Sequence, residues 1–300
     1  MPLPIYNEHT HTKSKKSVGS SNTQEANGMS KIGAVIGVAA GKGGVGKSSV
    51  TVNLAHAMKL QGLKVGILDA DIYGPSMRRM LPEDRLPSQK GNVIEPALCN
   101  GIKMISMAYF RKENEATAVR APIANGLISH FIKNILWGEL DVLLIDFPPG
   151  TGDIQLTLSQ QARLTGAIMV TTPQEVALID VRKAISLFDQ VKIPLIGIVE
   201  NMSYFQQSDC EERIYPFGKG GGERLALQAG ALFLGHIPLD PLICTGGDAG
   251  KSLFDLDLEQ RKPATKAFIK VASEVIEQIN FFKIESQQGI GEFKLLWKQM

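Results

Sequence analysis

The stretch Gly41-Lys42-Gly43-Gly44-Val45-Gly46-Lys47-Ser48 fits G-x-x-x-x-G-K-[ST], with the apolar run KIGAVIGVAA before it and a helical pattern after it. Such glycines let the backbone turn tightly and aim its N–H groups inward, so phosphate oxygens rest in a nest at the positive end of a helix. The nucleotide-binding stretch is therefore Gly41, Lys42, Gly43, Gly44, Val45, Gly46, Lys47, Ser48 and Ser49. Lys47 is placed to neutralise the β and γ phosphates, and the Ser48 hydroxyl to bind Mg²⁺ directly. Lys42 is a second lysine inside the loop. It either points to solvent or serves the nucleotide of another subunit, and the spacing alone does not decide which.

Phosphoryl transfer also needs acidic groups to hold the Mg²⁺ shell and position a water. Three aspartates stand at strand ends. Asp69 and Asp71 close VGILDAD two residues apart, so the strand period of two puts them on one face for as long as the strand lasts. Asp146 closes VLLID, and FPPGTGD then makes a tight turn suited to sensing a γ phosphate. The alternative for each is a cap or turn carboxylate. No Asn-Lys-x-Asp guanine signature is present, so the base expected is adenine and the nucleotide ATP.

The elements that must position these groups follow from the pattern of residues 31–282. Strand-like apolar runs alternate with helical stretches at 47–61, 123–136, 153–163, 175–190, 221–229 and 258–280. Several runs are continuously apolar, as strands covered on both faces are. The predicted fold is α/β, a mostly parallel β-sheet flanked by helices on both faces, with ligands at the carboxyl ends of the strands. Residues 1–30 are too polar to repay the entropy of ordering and read as a flexible tail, in which His9 and His11 are more often solvated bystanders than a chelating pair. That tail has neither the apolar core of a secretory signal nor an arginine, against export or organelle import. Residues 283–300 read as a C-terminal extension, an edge strand or a docking tail.

Charge and cysteine usage narrow the function classes. The 32 Lys+Arg and 30 Asp+Glu leave only +2, which argues against binding nucleic acid through phosphate contacts. The longest apolar run is short of the ~20 residues of a membrane span. Cys99, Cys210 and Cys244 are far apart without a C-x-x-C, so free thiols in a cytoplasmic protein are expected.

KGGVGKS, LDADIYGPS and IDFPPGTGDIQLTL together resemble the deviant Walker A ATPases, the class of MinD, ParA and nitrogenase iron protein. Within that class DADIYGPS, DFPPGTGDIQLT, VENMSYF, FGKGGGERLA and IPLDP, in this order, resemble the Mrp/ApbC iron-sulfur cluster carrier ATPases from about Lys31 to Leu253. The resemblance implies a homodimer with two ATP molecules at its interface, Lys42 reaching the partner's phosphates, and apoprotein clients. It implies Asp71 near the attacking water, Asp146 in the Mg²⁺ shell, Asp69 supporting both, and Asn201 and Asp240 near adenine and ribose.

The sequence departs from that pattern at the metal site. Members carry C-x-x-C after NMSYF, and ungapped alignment puts Gln207 and Cys210 there. Two Cys210 thiolates per dimer replace the four that a [4Fe–4S] cluster takes, and glutamine is a poor ligand for iron. Asp209, Glu211 and Glu212 raise the Cys210 thiol pKa and argue against a nucleophile. A remnant cluster ligand, a bystander and an intersubunit disulfide all stay open. So does the role of the glycines at 220–222, an anion nest or a hinge. The competing functions are a MinD/ParA-like spatial organiser, which needs an amphipathic or basic surface that FKLLWKQM does not convincingly provide, and a cluster-deficient regulatory ATPase.

Overall fold

The computed structural model describes residue 29 and residues 31–72, 74–110, 121–206, 212–255 and 263–288. The tail at 1–28 and Cys210 with its neighbours at 207–211 lie outside the described residues. The chain runs β1 (Ile32–Ala39), α1 (Lys47–Leu60), β2 (Val65–Asp69), α2 (Met77–Met80), β3 (Ser88–Lys90), β4 (Val93–Glu95), β5 (Ala97–Cys99) and β6 (Ile102–Ser106). Then come α3 (Ala121–Asn134), β7 (Leu140–Asp146), α4 (Asp153–Gln161), β8 (Gly166–Thr171), α5 (Glu175–Gln190) and β9 (Leu195–Glu200). The remainder is β10 (Phe205–Gln206), β11 (Arg213–Ile214), α6 (Gly221–Ala229), β12 (Phe233–His236), α7 (Pro241–Ala249) and α8 (Pro263–Gln288).

Eight strands form the central sheet in the order β12-β9-β8-β1-β7-β2-β6-β5. Every pair is parallel except the edge pair β5–β6. Because successive side chains of a strand point to opposite faces, each apolar run feeds two cores. Ile36, Val38, Val142 and Leu144 pack with α1 and α8, whereas Val35, Ala39, Leu143 and Ile145 pack with α3, α4, α5 and α6. α5 buries Ala177, Leu178, Val181, Ala184, Ile185 and Phe188, the stripe of a helix lying on a sheet. α1 is buried nearly all round, held between the sheet and α8.

The register decides where the chemistry is placed. Asp146 pairs with Val38 of β1 on one side and with Asp69 of β2 on the other. The carboxyl ends of β1, β7 and β2 are therefore level, with the phosphate loop and both carboxylates at one rim.

Two local expectations are corrected. β2 stops at Asp69, so Asp71 lies in the following turn rather than on a shared strand face. Within the described residues α8 runs from Pro263 to Gln288, past the helix end expected at 280. α7 is a helix that the apolar period does not reveal, although Asp240-Pro241 is a helix-start signal.

His56 of α1 is 6% exposed and stacks on Phe254, with ring centroids 6.0 Å apart. Burial, reinforced by Lys59 and opposed by Asp255, lowers its pKa to about 4. A base whose folded pKa is depressed gives stability that is present above its unfolded value near 6.5 and lost as pH falls toward 4. This group alone should cost about 2 kcal/mol between pH 7 and pH 5. Urea unfolding of His56→Leu at the two pH values should show a pH dependence smaller by that amount.

Candidate functional site

β1 delivers the chain to the rim at Ala39, and the loop then turns back into α1 through Gly46, at φ +81° and ψ 24°. An L side chain is disfavoured at that φ, and a Cβ there would also stand 2.3 Å from Asn201 Nδ2. Gly41 is required for a different reason: its missing Cβ would lie 2.2–2.5 Å from the backbone of Asp180 and Val181, so α5 packs directly on the loop. No side chain caps the N-terminus of α1 among the described residues. Its first amides are donors facing the rim, the arrangement that receives anions.

Asp146 is the focus. It is fully buried, and Lys47, itself 7% exposed, places Nζ 2.6 Å from its Oδ2. The Ser48 hydroxyl donates to the same Oδ2 at 2.6 Å. Thr51 lies one turn beyond Lys47 on α1; its hydroxyl is 2.9 Å from Asp146 Oδ1 and 3.0 Å from the Lys47 carbonyl. Three groups from the first turns of one helix thus converge on one carboxylate at the end of β7. Thr51 is a site residue that the motif did not reveal, though its i+4 spacing from Lys47 puts both on one face.

Asp69 sits beside this cluster, 1% exposed. It accepts from the Ser106 hydroxyl at 2.7 Å and from the Asp71 amide at 3.2 Å. Burial first, and then repulsion from Asp146, push its pKa up to about 7. Two carboxylates with a nearby hydroxyl are hard oxygen donors that fit a divalent cation such as Mg²⁺. Asp71 is half-buried, and its own carboxylate accepts from the Gly74 amide at 3.1 Å. The turn after β7 lies against the loop: the Gly150 amide donates to Ala40 O at 3.4 Å, and Gln155 Nε2 holds Pro148 O at 2.5 Å.

Asn201, 6% exposed, donates its side-chain amide to Val45 O at 2.8 Å. Asp240 caps α7, accepting from the Leu242 amide at 2.9 Å. Ser49 points to α2, 3.6 Å from Met80 Sδ. Lys42 is half-buried and makes no hydrogen bond or ion pair with the described residues.

Comparison with known proteins fits this geometry. The family model described as NUBPL iron-transfer P-loop NTPase, of the ParA group, matches residues 31–276. This chain belongs to that family. The iron-sulfur cluster carrier protein of Methanococcus maripaludis is 44% identical over 269 residues, covering 88% of this chain and 92% of its own length. The protein of the same name from Escherichia coli is 47% identical over 214 residues, which are 71% of this chain and 58% of that one. A nucleotide-binding protein from Archaeoglobus fulgidus, solved in complex with ADP, is 41% identical with a TM-score of 0.67, covering 80% of this chain and 93% of that one. MinD from Pyrococcus furiosus, at 23% identity and a TM-score of 0.59, covers 82% of this chain and 99% of its own and shares the fold.

Two of the three cysteines fall among the described residues. Cys99 is buried, and burial with Glu83 and Asp84 pushes its thiol up to about 12. Cys244 is exposed on α7, 3.8 Å from Asp248 Oδ2. Among the described residues no group of three or more His, Cys, Asp or Glu is gathered to hold a metal. The strands β10 and β11 pair Gln206 with Arg213 in antiparallel register.

Removing Asp146 leaves the buried Lys47 without its partner. Asp146→Ala is expected to destabilise the nucleotide-free protein by about 3 kcal/mol, and Thr51→Val, which removes one donor, by about 1 kcal/mol. Denaturant titration checks both.

Proposed function

We propose that the protein is a homodimeric ATPase that carries iron-sulfur clusters to apoproteins in the cytoplasm. The observation that carries the ATPase part is the convergence of Lys47, Ser48 and Thr51 on Asp146 beside the protonation-prone Asp69. That cluster holds a cation and hydroxyls at the rim where the α1 amides face outward. Phosphates arriving there exchange Asp146 for themselves as partners of Lys47, and the ADP-bound relative at 41% identity supports this placement. Mg²⁺, when bound, supplies charge neutralisation on the β and γ phosphates, with Ser48, Asp146 and Asp69 as the groups that hold it or its waters. Asp71, in the turn after β2, orients the attacking water. Asn201 and Asp240 flank the adenosine.

Lys42 is the residue that makes the second subunit part of the site. Its ammonium lacks a partner among the described residues, and a second copy's phosphates provide one. Beside the loop, Val176 and Ile179 on the first turns of α5 are 67% and 49% exposed. Apolar groups in that position suit a face covered by a second copy. Turnover is slow and gated by closure of that dimer.

The cluster is cargo. Relatives named iron-sulfur cluster carrier proteins support this part of the reading. With Cys210 as the single cysteine in the sequence between Phe205 and Gly222, a dimer offers two thiolates where four are the usual complement. The bound cluster is accordingly labile, with remaining positions open to a client or assembly factor.

Lys47→Ala should abolish ADP binding in calorimetry, whereas Lys42→Ala should bind ADP as the parent does yet hydrolyse ATP only at background rate; full turnover in Lys42→Ala would remove the case for action across the dimer. Anaerobic reconstitution should give the parent substoichiometric iron and sulfide with broad visible absorption, all lost in Cys210→Ala. Parent protein that never acquires iron would sink cluster carriage by this chain alone.

A further inference from the structure

β9 ends at Glu200, and the next residue is Asn201, the one whose amide holds the phosphate loop. The Glu200 side chain is fully buried, yet it is a carboxylate. It accepts from the Ser203 hydroxyl at 2.6 Å, from the Gly222 amide at 2.5 Å and from His236 Nδ1 at 3.2 Å. His236 in turn places Nε2 3.1 Å from Glu223 Oε1. The glycine run that opens α6 thus turns one amide, that of Gly222, to an anion that belongs to the protein itself. Burial raises the pKa of Glu200, but the bonds from His236, Ser203 and Gly222 outweigh it and hold the group below the ordinary carboxylate range.

The turn that Glu200 anchors is not one the backbone adopts freely. Met202 has φ +52°, a left-handed conformation that a non-glycine residue resists. Main-chain bonds join the same turn to both neighbouring strands: Asn201 N to Thr171 O at 2.8 Å, Ile237 N to Glu200 O at 2.9 Å and Ser203 N to Ile237 O at 2.9 Å. A buried carboxylate must keep its donors, because losing them leaves an uncompensated charge. Its donors come from the turn itself, from α6 and from β12, so those three are locked together around it.

We propose that Glu200 is a positioning residue for nucleotide binding, fixing the 200–203 turn so that the Asn201 amide stays on the Val45 carbonyl. The proposal rests on the nucleotide site argued above. Through this carboxylate the phosphate loop is tied to the start of α6 and to β12. The same turn leads through Tyr204 into β10.

A double-mutant cycle on the full chain separates positioning from general support. ADP affinity is measured by calorimetry for the parent, Glu200→Gln, Asn201→Ala and the double variant, with thermal unfolding of each in the absence of nucleotide. Glu200→Gln is expected to raise the ADP Kd about tenfold, the loss of a charge-assisted hydrogen-bond set, and to add nothing once Asn201 is alanine. Additive losses, or a fall in melting temperature without a change in Kd, would overturn the proposal. If Glu200→Gln does not fold, His236→Gln removes only the outer partner and should give a smaller defect that also vanishes in the Asn201→Ala background; persistence there would overturn it equally. Lys47→Ala is the control for the underlying reading: ADP binding retained in that variant rejects the site, whatever the cycle gives.

Discussion

A carboxylate with no exposure to water at the end of a β-strand is expensive unless its charge is met, and Asp146 is met by Lys47, Ser48 and Thr51. The rest of the rim is arranged so that this meeting occurs. The β1–β7–β2 register levels the strand ends, the left-handed Gly46 brings α1 round onto them, and the absence of a Cβ at Gly41 lets α5 close against the loop. A slip of one residue in β7 would turn Asp146 from one face of the sheet to the other and move Leu144 and Ile145 between the two cores. Hydrophobic burial therefore fixes the position of the charge: the same alternation that fills the cores sets which side of the strand end faces α1.

The phosphate loop, the alternating α/β order and the aspartates at strand ends were legible because each leaves a local pattern: glycine spacing, apolar period, an acidic residue closing an apolar run. α5 and α6 begin and end where their periodicity does. What was not legible depends on residues brought together by the fold. Thr51 looks like an ordinary helix residue until β7 puts Asp146 beside it. Ser106 ends β6 with no motif at all, and only the pairing of β2 with β6 opposes it to Asp69. Glu200 sits in a continuously buried strand where sequence offers no reason to suspect a charge; the Gly222 amide that meets it is 22 residues away. The glycine run was recognised as a nest or a hinge, but the choice required knowing which anion stood opposite.

Asp146 and Glu200 invite comparison, since both are fully buried carboxylates with several donors at the ends of parallel strands. Their donors differ in kind. Around Asp146 they are two hydroxyls and a lysine ammonium, the last on a flexible stem that can turn to a phosphate. Around Glu200 they include a backbone amide at the start of a helix and an imidazole held from its far side by Glu223. Exchanging the first set moves only side chains, provided that a cation takes the place of the lysine at Asp146 when an anion draws it away. Exchanging the second would require α6 or β12 to move. The first carboxylate is therefore suited to a site that changes state with its ligand, and the second to a frame that does not. Asn201, adjacent to one and touching the loop of the other, is where the two meet. A nucleotide that shifts the loop must either keep that contact or displace the turn, and displacing it works against every donor of Glu200 at once.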